Sequence, residues 1–229
     1  MKRSTLVAIG LCILAVGSSR AAAAQSVPAA GPGRLEVSFG ALWIGQLALG
    51  SNDANNTTPT GGTLKIFSTS TDLGGVAGLE ARVGVRLLQS LEAEAEGSYG
   101  TPQLKVTITG DIENAPDVTA TESVQQFTVG AGVVWHPPVQ AASGRLAPFV
   151  SGGVGQLRQI HEEKTSLETG LYYYAGGGVK WLLFARPHGF VNAIGLRVDA
   201  RAIVRTKGVA FDDGGHTSPA IGASVFVRF

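Results

Sequence analysis

The chain has 229 residues, of which 44% are hydrophobic and 15% are charged, which is enough for one sizeable domain. Its 18 basic residues nearly balance its 17 acidic ones. Three of the basic residues lie in the first 20 positions, and without them the net charge is about −2, which excludes an electrostatic basis for nucleic-acid binding.

The first two dozen residues have the pattern of an export signal. Basic residues at positions 2 and 3 precede an apolar run over 6–16, and Ala21 to Ala24 provide a small-residue cleavage site before Gln25. The run is shorter than a membrane-spanning helix requires. We therefore predict a cleaved signal peptide over 1–24, a flexible periplasmic leader over 25–33 and one domain over 34–229. The only cysteine, Cys12, lies inside the signal peptide, so the mature chain has no thiol chemistry.

The segment Gly195–Arg205 has two faces of opposite character. Leu196, Val198, Ala200, Ala202 and Val204 alternate with Arg197, Asp199, Arg201, Ile203 and Arg205. A period of two predicts a β-strand, and its length suits a strand that crosses a bilayer, which needs about 9–11 residues. No later run of some 18 apolar residues predicts a transmembrane helix, so a membrane location requires a closed barrel.

Eight segments alternate in this way. They are predicted at about 34–49, 73–88, 91–107, 121–136, 145–160, 170–184, 190–206 and 217–229. Short turns alternate with longer polar loops at about 50–72, 108–120, 161–169 and 207–216. This rhythm predicts an all-β fold, an eight-stranded antiparallel up-and-down transmembrane β-barrel with both termini on the periplasmic side. Thr63 to Ser70 also alternates, and predicts an outward extension of the second strand or a small hairpin in the first loop.

Alternation alone fits a soluble, calycin-like binder with its apolar face inside as well as a membrane barrel with that face outside. Glycines and charged residues share one face. The lumen of an eight-stranded barrel is just wide enough for side chains to fill, so glycines leave space there and opposite charges can pair. The predicted lumen charge network comprises Glu80, Arg82, Arg86, Glu92, Glu94, Glu96, Lys180, Arg197, Asp199, Arg201 and Arg205, and Glu36 and Arg228 share its face.

The hairpin of the second and third strands fixes a register. An odd-length turn centred on Gln89 places Arg86 opposite Glu92 and Arg82 opposite Glu96. We also expect the glutamates of the third strand to meet the arginines of the seventh across the lumen, because these strands are not neighbours.

Aromatic residues mark the predicted membrane interfaces. Trp43, Trp135 and Trp181 share the apolar face near strand ends, and Tyr172 to Tyr174 lie near the loop end of the sixth strand. Membrane barrels carry such girdles at both interfaces.

The segments Pro148-Phe149-Val150-Ser151-Gly152-Gly153-Val154-Gly155 and Gly195 to Arg201, with a last strand ending in Phe229, resemble the small OmpA/OmpX-like outer-membrane barrels of Gram-negative bacteria. The resemblance implies an outer-membrane location in contact with lipid and lipopolysaccharide. It also implies that Val225, Val227 and Phe229 form the signal read by the outer-membrane assembly machinery. Ser224 stands where that pattern prefers a glycine.

No arrangement of residues indicates a cofactor, a metal site or a catalytic site. Glu92, Glu94 and Glu96 could serve acid–base chemistry, but matching arginines favour a salt-bridged lumen. His216 and Ser218 have the spacing used by lipid A deacylases, without an acid in the same strand. We therefore expect a non-enzymatic structural or surface-interaction role through the extracellular loops, whose ligand the sequence does not identify. The alternatives are a narrow channel for ions or small solutes and a lipid A-modifying hydrolase.

Overall fold

The computed structural model describes residues 34–57, 61–112, 116–139, 144–161, 167–186, 189–206 and 215–229. The predicted signal peptide and leader lie outside these ranges, as do Cys12, Asp212 and Asp213. Eleven β-strands are present: β1 (Leu35–Ile44), β2 (Leu47–Thr57), β3 (Thr63–Leu73), β4 (Val76–Arg86), β5 (Leu91–Gly100), β6 (Gln103–Thr109), β7 (Val118–Trp135), β8 (Leu146–His161), β9 (Leu167–Ala185), β10 (Ala193–Arg205) and β11 (His216–Arg228). Within the described ranges, no helix has the length and apolar character needed to cross a membrane.

Eight of these strands close into a ring. The order around it is β1, β4, β5, β7, β8, β9, β10 and β11, and β11 returns to pair with β1. Every pairing is antiparallel. The predicted eight-stranded up-and-down barrel is thus confirmed, and a closed ring leaves no strand edge unpaired at this level.

Three strands continue beyond the ring after a short interruption. β1 continues as β2, β3 precedes β4, and β5 continues as β6; together with the start of β7 they form a sheet in the order β2, β3, β6, β7. We call this sheet the extension. The predicted loop over 50–72 is therefore wrong for most of its length, because β2 and β3 form a long hairpin there, whereas the predicted strand extension at Thr63 to Ser70 is confirmed.

The extension has its own small apolar core, formed by Leu47, Leu49, Leu73, Leu104 and Val124. Each of the four strands contributes one leucine or valine to this core, and β2 contributes a second one. Burial of each side chain of this size stabilises the sheet by about 1.5–3 kcal/mol. The Ser-, Thr- and Asn-rich remainder of the extension is mostly exposed to solvent.

The extension separates from the rest of the barrel at a proline. The amide of Gly45 donates a hydrogen bond of 2.8 Å to the carbonyl oxygen of Pro219 in β11, just beyond the last paired residues, Ile44 and Ala220. Proline has no amide hydrogen to continue the ladder. Above this point β2 pairs with β3 and β11 pairs with β10 within the described residues.

The apolar face of the barrel points outward. Val129 is 70% exposed and Leu79 53%, whereas Lys180 and Arg197 are each 1% exposed. The faces are those of a transmembrane barrel and the reverse of those in a soluble binder.

The aromatic prediction is confirmed in one part and wrong in another. Trp43, Trp135 and Trp181 lie on the outer surface, each about half exposed. Tyr172 and Tyr174, however, are buried in the lumen, and only Tyr173 between them faces outward. Consecutive residues of a strand point to opposite faces, so three tyrosines in a row cannot share one girdle.

Candidate functional site: the filled lumen

The register of the β4–β5 hairpin aligns the charged residues that fill the lumen. Arg86 pairs with Glu92, Gly84 with Glu94 and Arg82 with Glu96, as the odd-length turn predicts. A Cβ atom at Gly84 would overlap the carboxylate of Glu92, so this glycine leaves the space from which Glu92 reaches Lys180 of β9.

A lower ionic cluster lies at the periplasmic mouth. Lys180 of β9 donates hydrogen bonds to Glu36, at 2.5 Å, and to Glu92, at 3.1 Å. Arg228 approaches Glu36 at 2.7 Å, and His136 Nε2 lies 3.2 Å from Glu92 Oε2. Three walls of the barrel, formed by β9, by β1 with β11, and by β5, are therefore joined across its axis.

An upper ionic cluster occupies the middle of the lumen. It joins seven side chains: Glu80, Arg82, Glu94, Glu96, Arg197, Asp199 and Arg201. Arg82 binds Asp199 through two hydrogen bonds, at 2.9 and 3.2 Å, and Arg201 bridges Glu80 and Glu96, the latter at 2.7 Å. Two-point arginine–carboxylate contacts fix both distance and orientation.

Two phenylalanine rings lie between the clusters. Lys180 Nζ is 5.8 Å from the centroid of Phe149 and 5.8 Å from that of Phe226, and the Arg197 guanidinium carbon is 4.5 Å from the centroid of Phe149. At these distances, cations over ring faces contribute about 0.5–2 kcal/mol each. Both rings are buried, and both cations keep their carboxylate partners.

The extracellular half of the lumen is closed by apolar packing. Leu42, Ile44, Leu157 and Ile203 pack there with Tyr172 and Tyr174. Tyr172 also donates a hydrogen bond of 3.0 Å to Glu96, which ties this layer to the upper cluster. A cavity of about 20 Å³ lies beside Tyr172, which is space for a single water molecule.

Nine of the eleven predicted network residues join these two clusters, and two do not. Arg86 is half-buried at the periplasmic mouth, and Arg205 is 7% exposed at the opposite end, beside the cavity. Neither forms an ion pair with another side chain of the described ranges.

His136 and Phe149 also reach the lumen, although the predicted network does not include them. His136 continues the even-numbered face of β7 (Gly130, Gly132, Val134) into the lumen. Phe149 shares the lumen face of β8 with Ser151 and is 2% exposed. Extending the parity of each strand by one residue would have identified both.

Ser218, which has the spacing to His216 that lipid A deacylases use, lies on the lumen side of β11 with no exposed surface. Its hydroxyl has no hydrogen-bond partner among the described residues. Within the described ranges, no three His, Cys, Asp or Glu side chains are grouped closely enough to hold a metal ion.

The predicted assembly signal lies along the seam between the first and last strands. Val225 is 50% exposed on the outer wall, opposite Phe39 in the register with β1. The ring of Phe229 contacts that of Phe190 at a centroid distance of 5.1 Å. Recognition of Val225, Val227 and Phe229 by the assembly machinery stays a prediction.

No protein-family model and no curated protein matches the chain. Solved structures do match. Neisserial surface protein A is 12% identical, with a TM-score of 0.52, and the alignment covers 85% of this chain and 97% of that protein. Similar structures also include the outer membrane protein OprG from Pseudomonas aeruginosa, 10% identical, with a TM-score of 0.49 and coverage of 86% and 96%. At these identities the likeness concerns the fold alone. The closed ring, the apolar outer wall and the charged lumen are together the fold of a small outer-membrane β-barrel protein.

Proposed function

We propose that the protein is a sealed outer-membrane barrel that acts as a surface-interaction protein through its extracellular extension and loops. The observation that carries the proposal is the filled lumen. Two ionic clusters, two phenylalanine rings and an apolar layer follow one another along its axis. A barrel with this interior anchors what lies outside it, and partner-specific residues belong to the loops and to the extension.

The charge of the extracellular end suggests the chemistry of a partner. By sequence position, 11 acidic and five basic residues outside the lumen belong to the extension, to the extracellular loops or to the outer ends of the ring strands: Asp53, Asp72, Asp111, Glu113, Asp117, Glu122, Glu162, Glu163, Glu168, Asp212 and Asp213 against Lys65, Lys105, Arg158, Lys164 and Lys207. A surface with this imbalance attracts basic partners and repels anionic ones. We expect a basic protein or peptide to bind there.

The experiment compares the parent with the variant Asp72→Asn combined with Asp117→Asn and Glu122→Gln, which removes three acidic charges from β3 and from around the start of β7 in the extension and leaves the basic residues in place. Both proteins are reconstituted in nanodiscs, and binding of a fluorescent oligolysine peptide is measured at low and physiological salt. We expect binding to the parent and at least a fivefold weaker affinity for the variant. Equal binding would contradict the role of the extension.

The alternative of a narrow channel requires a lumen that conducts ions, whereas a sealed lumen conducts none. Single-channel recordings of the parent in planar bilayers should show no conductance steps. A porin with an open lumen, reconstituted under the same conditions, serves as the positive control for detection. Regular steps from the parent would overturn the sealed-lumen proposal in favour of the narrow channel.

A further inference from the structure

Charge is segregated between the two ends of the barrel. Outside the lumen, every acidic residue of the domain belongs to the extracellular end. The periplasmic end carries Arg34, Arg86, Arg145 and Arg186. Among the described residues of that rim, 86–91, 136–139, 144–145, 185–186 and 189–193, none is an aspartate or a glutamate.

The four arginines lie on one continuous stretch of the rim. The amide of Arg86 donates to the carbonyl oxygen of Arg34 at 2.8 Å, and the amide of Arg186 donates to that of Asn192 at 2.8 Å. Asn192 in turn donates to the carbonyl oxygen of Arg228, and Leu182 to that of Arg145. Glu36 and Glu92, the acidic side chains at this mouth of the barrel, are buried in the lumen and bound to Lys180, Arg228 and His136.

Apolar side chains place this stretch at the membrane surface. Phe190 is 85% exposed, and Leu88, next to the β4–β5 turn, is 63% exposed. The guanidinium carbon of Arg186 lies 4.8 Å from the ring centroid of Phe184, which is itself on the outer wall near Trp181. An arginine stacked on an interfacial aromatic ring holds its charge at the level of lipid headgroups.

We propose that this periplasmic rim binds the phosphate groups of anionic phospholipids in the inner leaflet of the outer membrane. The planar guanidinium group accepts a phosphate through two parallel hydrogen bonds. Arginines near a membrane surface each strengthen contact with anionic lipid, by about fivefold in affinity. Such lipids fix the depth of the barrel and its orientation, because the acidic extracellular end repels them.

Tryptophan quenching by brominated lipid tests this directly, since the natural tryptophans lie at different ends. In a Trp43→Phe background, Trp135 and Trp181 both report on the periplasmic end. The protein is folded into phosphatidylcholine vesicles that contain brominated phosphatidylglycerol, and in a second series brominated phosphatidylcholine. We expect a relative binding constant for phosphatidylglycerol of about five or more, reduced by high salt.

Two matched variants decide the origin of any preference. Arg145→Gln combined with Arg186→Gln should bring the relative binding constant close to one. Lys105→Gln combined with Arg158→Gln, at the extracellular end, should leave it unchanged. Trp43 alone, in a Trp135→Phe, Trp181→Phe background, should show no preference. Heat-modifiable migration on gels confirms that each variant is folded.

Equal quenching by both lipids in the parent, or a preference that survives loss of Arg145 and Arg186, would overturn the proposal. Neither result bears on the function of the extracellular extension.

Discussion

Reversal of the charge at Arg201 is the sharpest perturbation of the lumen. Arg201 is 6% exposed and bridges Glu80 and Glu96 in the upper ionic cluster. Glutamate at this position would leave five carboxylates around two arginines. Removing one partner of a buried ion pair destabilises a protein by about 3–5 kcal/mol, because the remaining charge stays buried without compensation. We expect Arg201→Glu to lower the free energy of unfolding by at least this amount.

The assay is equilibrium unfolding by guanidinium chloride in lipid vesicles, followed by tryptophan fluorescence. Lys65→Glu is the matched control, because it reverses a cation whose ion pair with Asp53, at 2.9 Å, is half-exposed on the extension. Its unfolding midpoint should equal that of the parent. Arg201→Glu combined with Glu96→Arg restores an opposite pair at the same site and should recover part of the loss.

Two results would refute this reasoning. If Arg201→Glu unfolds at the same denaturant concentration as the parent, the side chain is not held between Glu80 and Glu96. If the double variant is no more stable than Arg201→Glu alone, the loss does not arise from the pair. Arg201→Leu separates the loss of attraction from the added repulsion, and it should lie between the parent and Arg201→Glu.

Three further predictions concern packing, a buried hydroxyl and an exposed carboxylate. A Cβ atom added at Gly155 would lie 2.5 Å from three atoms of Tyr172. Gly155→Val should therefore destabilise the barrel by about 1–3 kcal/mol in the same unfolding assay. In a Tyr172→Ala background, the same substitution should have little effect. Ser218→Ala removes a buried hydroxyl that has no hydrogen-bond partner in the described structure, so stability should be unchanged or higher, and a loss above about 1 kcal/mol would reveal a missing partner. Hydrogen bonds from Lys65 and Ser68 hold the pKa of Asp53 below its usual range, so Lys65→Gln should raise that pKa, as measured by NMR titration of the side-chain carboxyl. The contribution of this contact to stability is present above pH 4 and is lost as the pH falls through the lowered pKa.

The barrel itself could be predicted because its signals are local. Alternation along β10 distinguishes Val198 from Arg197 without knowledge of any partner strand, and the odd-length turn after Arg86 fixes the register with Glu92. The ion pair between Arg201 and Glu96 could be predicted only as a contact between two strands across the lumen, not as a contact between these two residues. Which arginine reaches which glutamate depends on the stagger of the ring, and these two residues are 105 positions apart.

The extension could not be predicted for a related reason. Residues 50–72 are rich in Ser, Thr, Asn and Asp, which is the composition of a loop. Their strand conformation depends on pairing with β6 and on the leucines at their base, and both come from distant parts of the chain. The lumen positions of Tyr172 and Tyr174 depend equally on distant residues, because glycines at 130, 132, 153 and 155 leave the space that the two rings occupy.

A lumen filled with ion pairs has a consequence for folding that an apolar lumen would lack. Replacing buried ion pairs by apolar residues often leaves stability unchanged or higher, so stability alone does not explain the clusters. Because side chains alternate, a shift of β10 by one residue would move Arg197, Asp199 and Arg201 to the lipid face, where an arginine at mid-membrane costs about 2–4 kcal/mol. With an apolar lumen the same shift would expose nothing that lipid disfavours. We therefore expect the charged clusters to distinguish the inside of the barrel from the outside during folding.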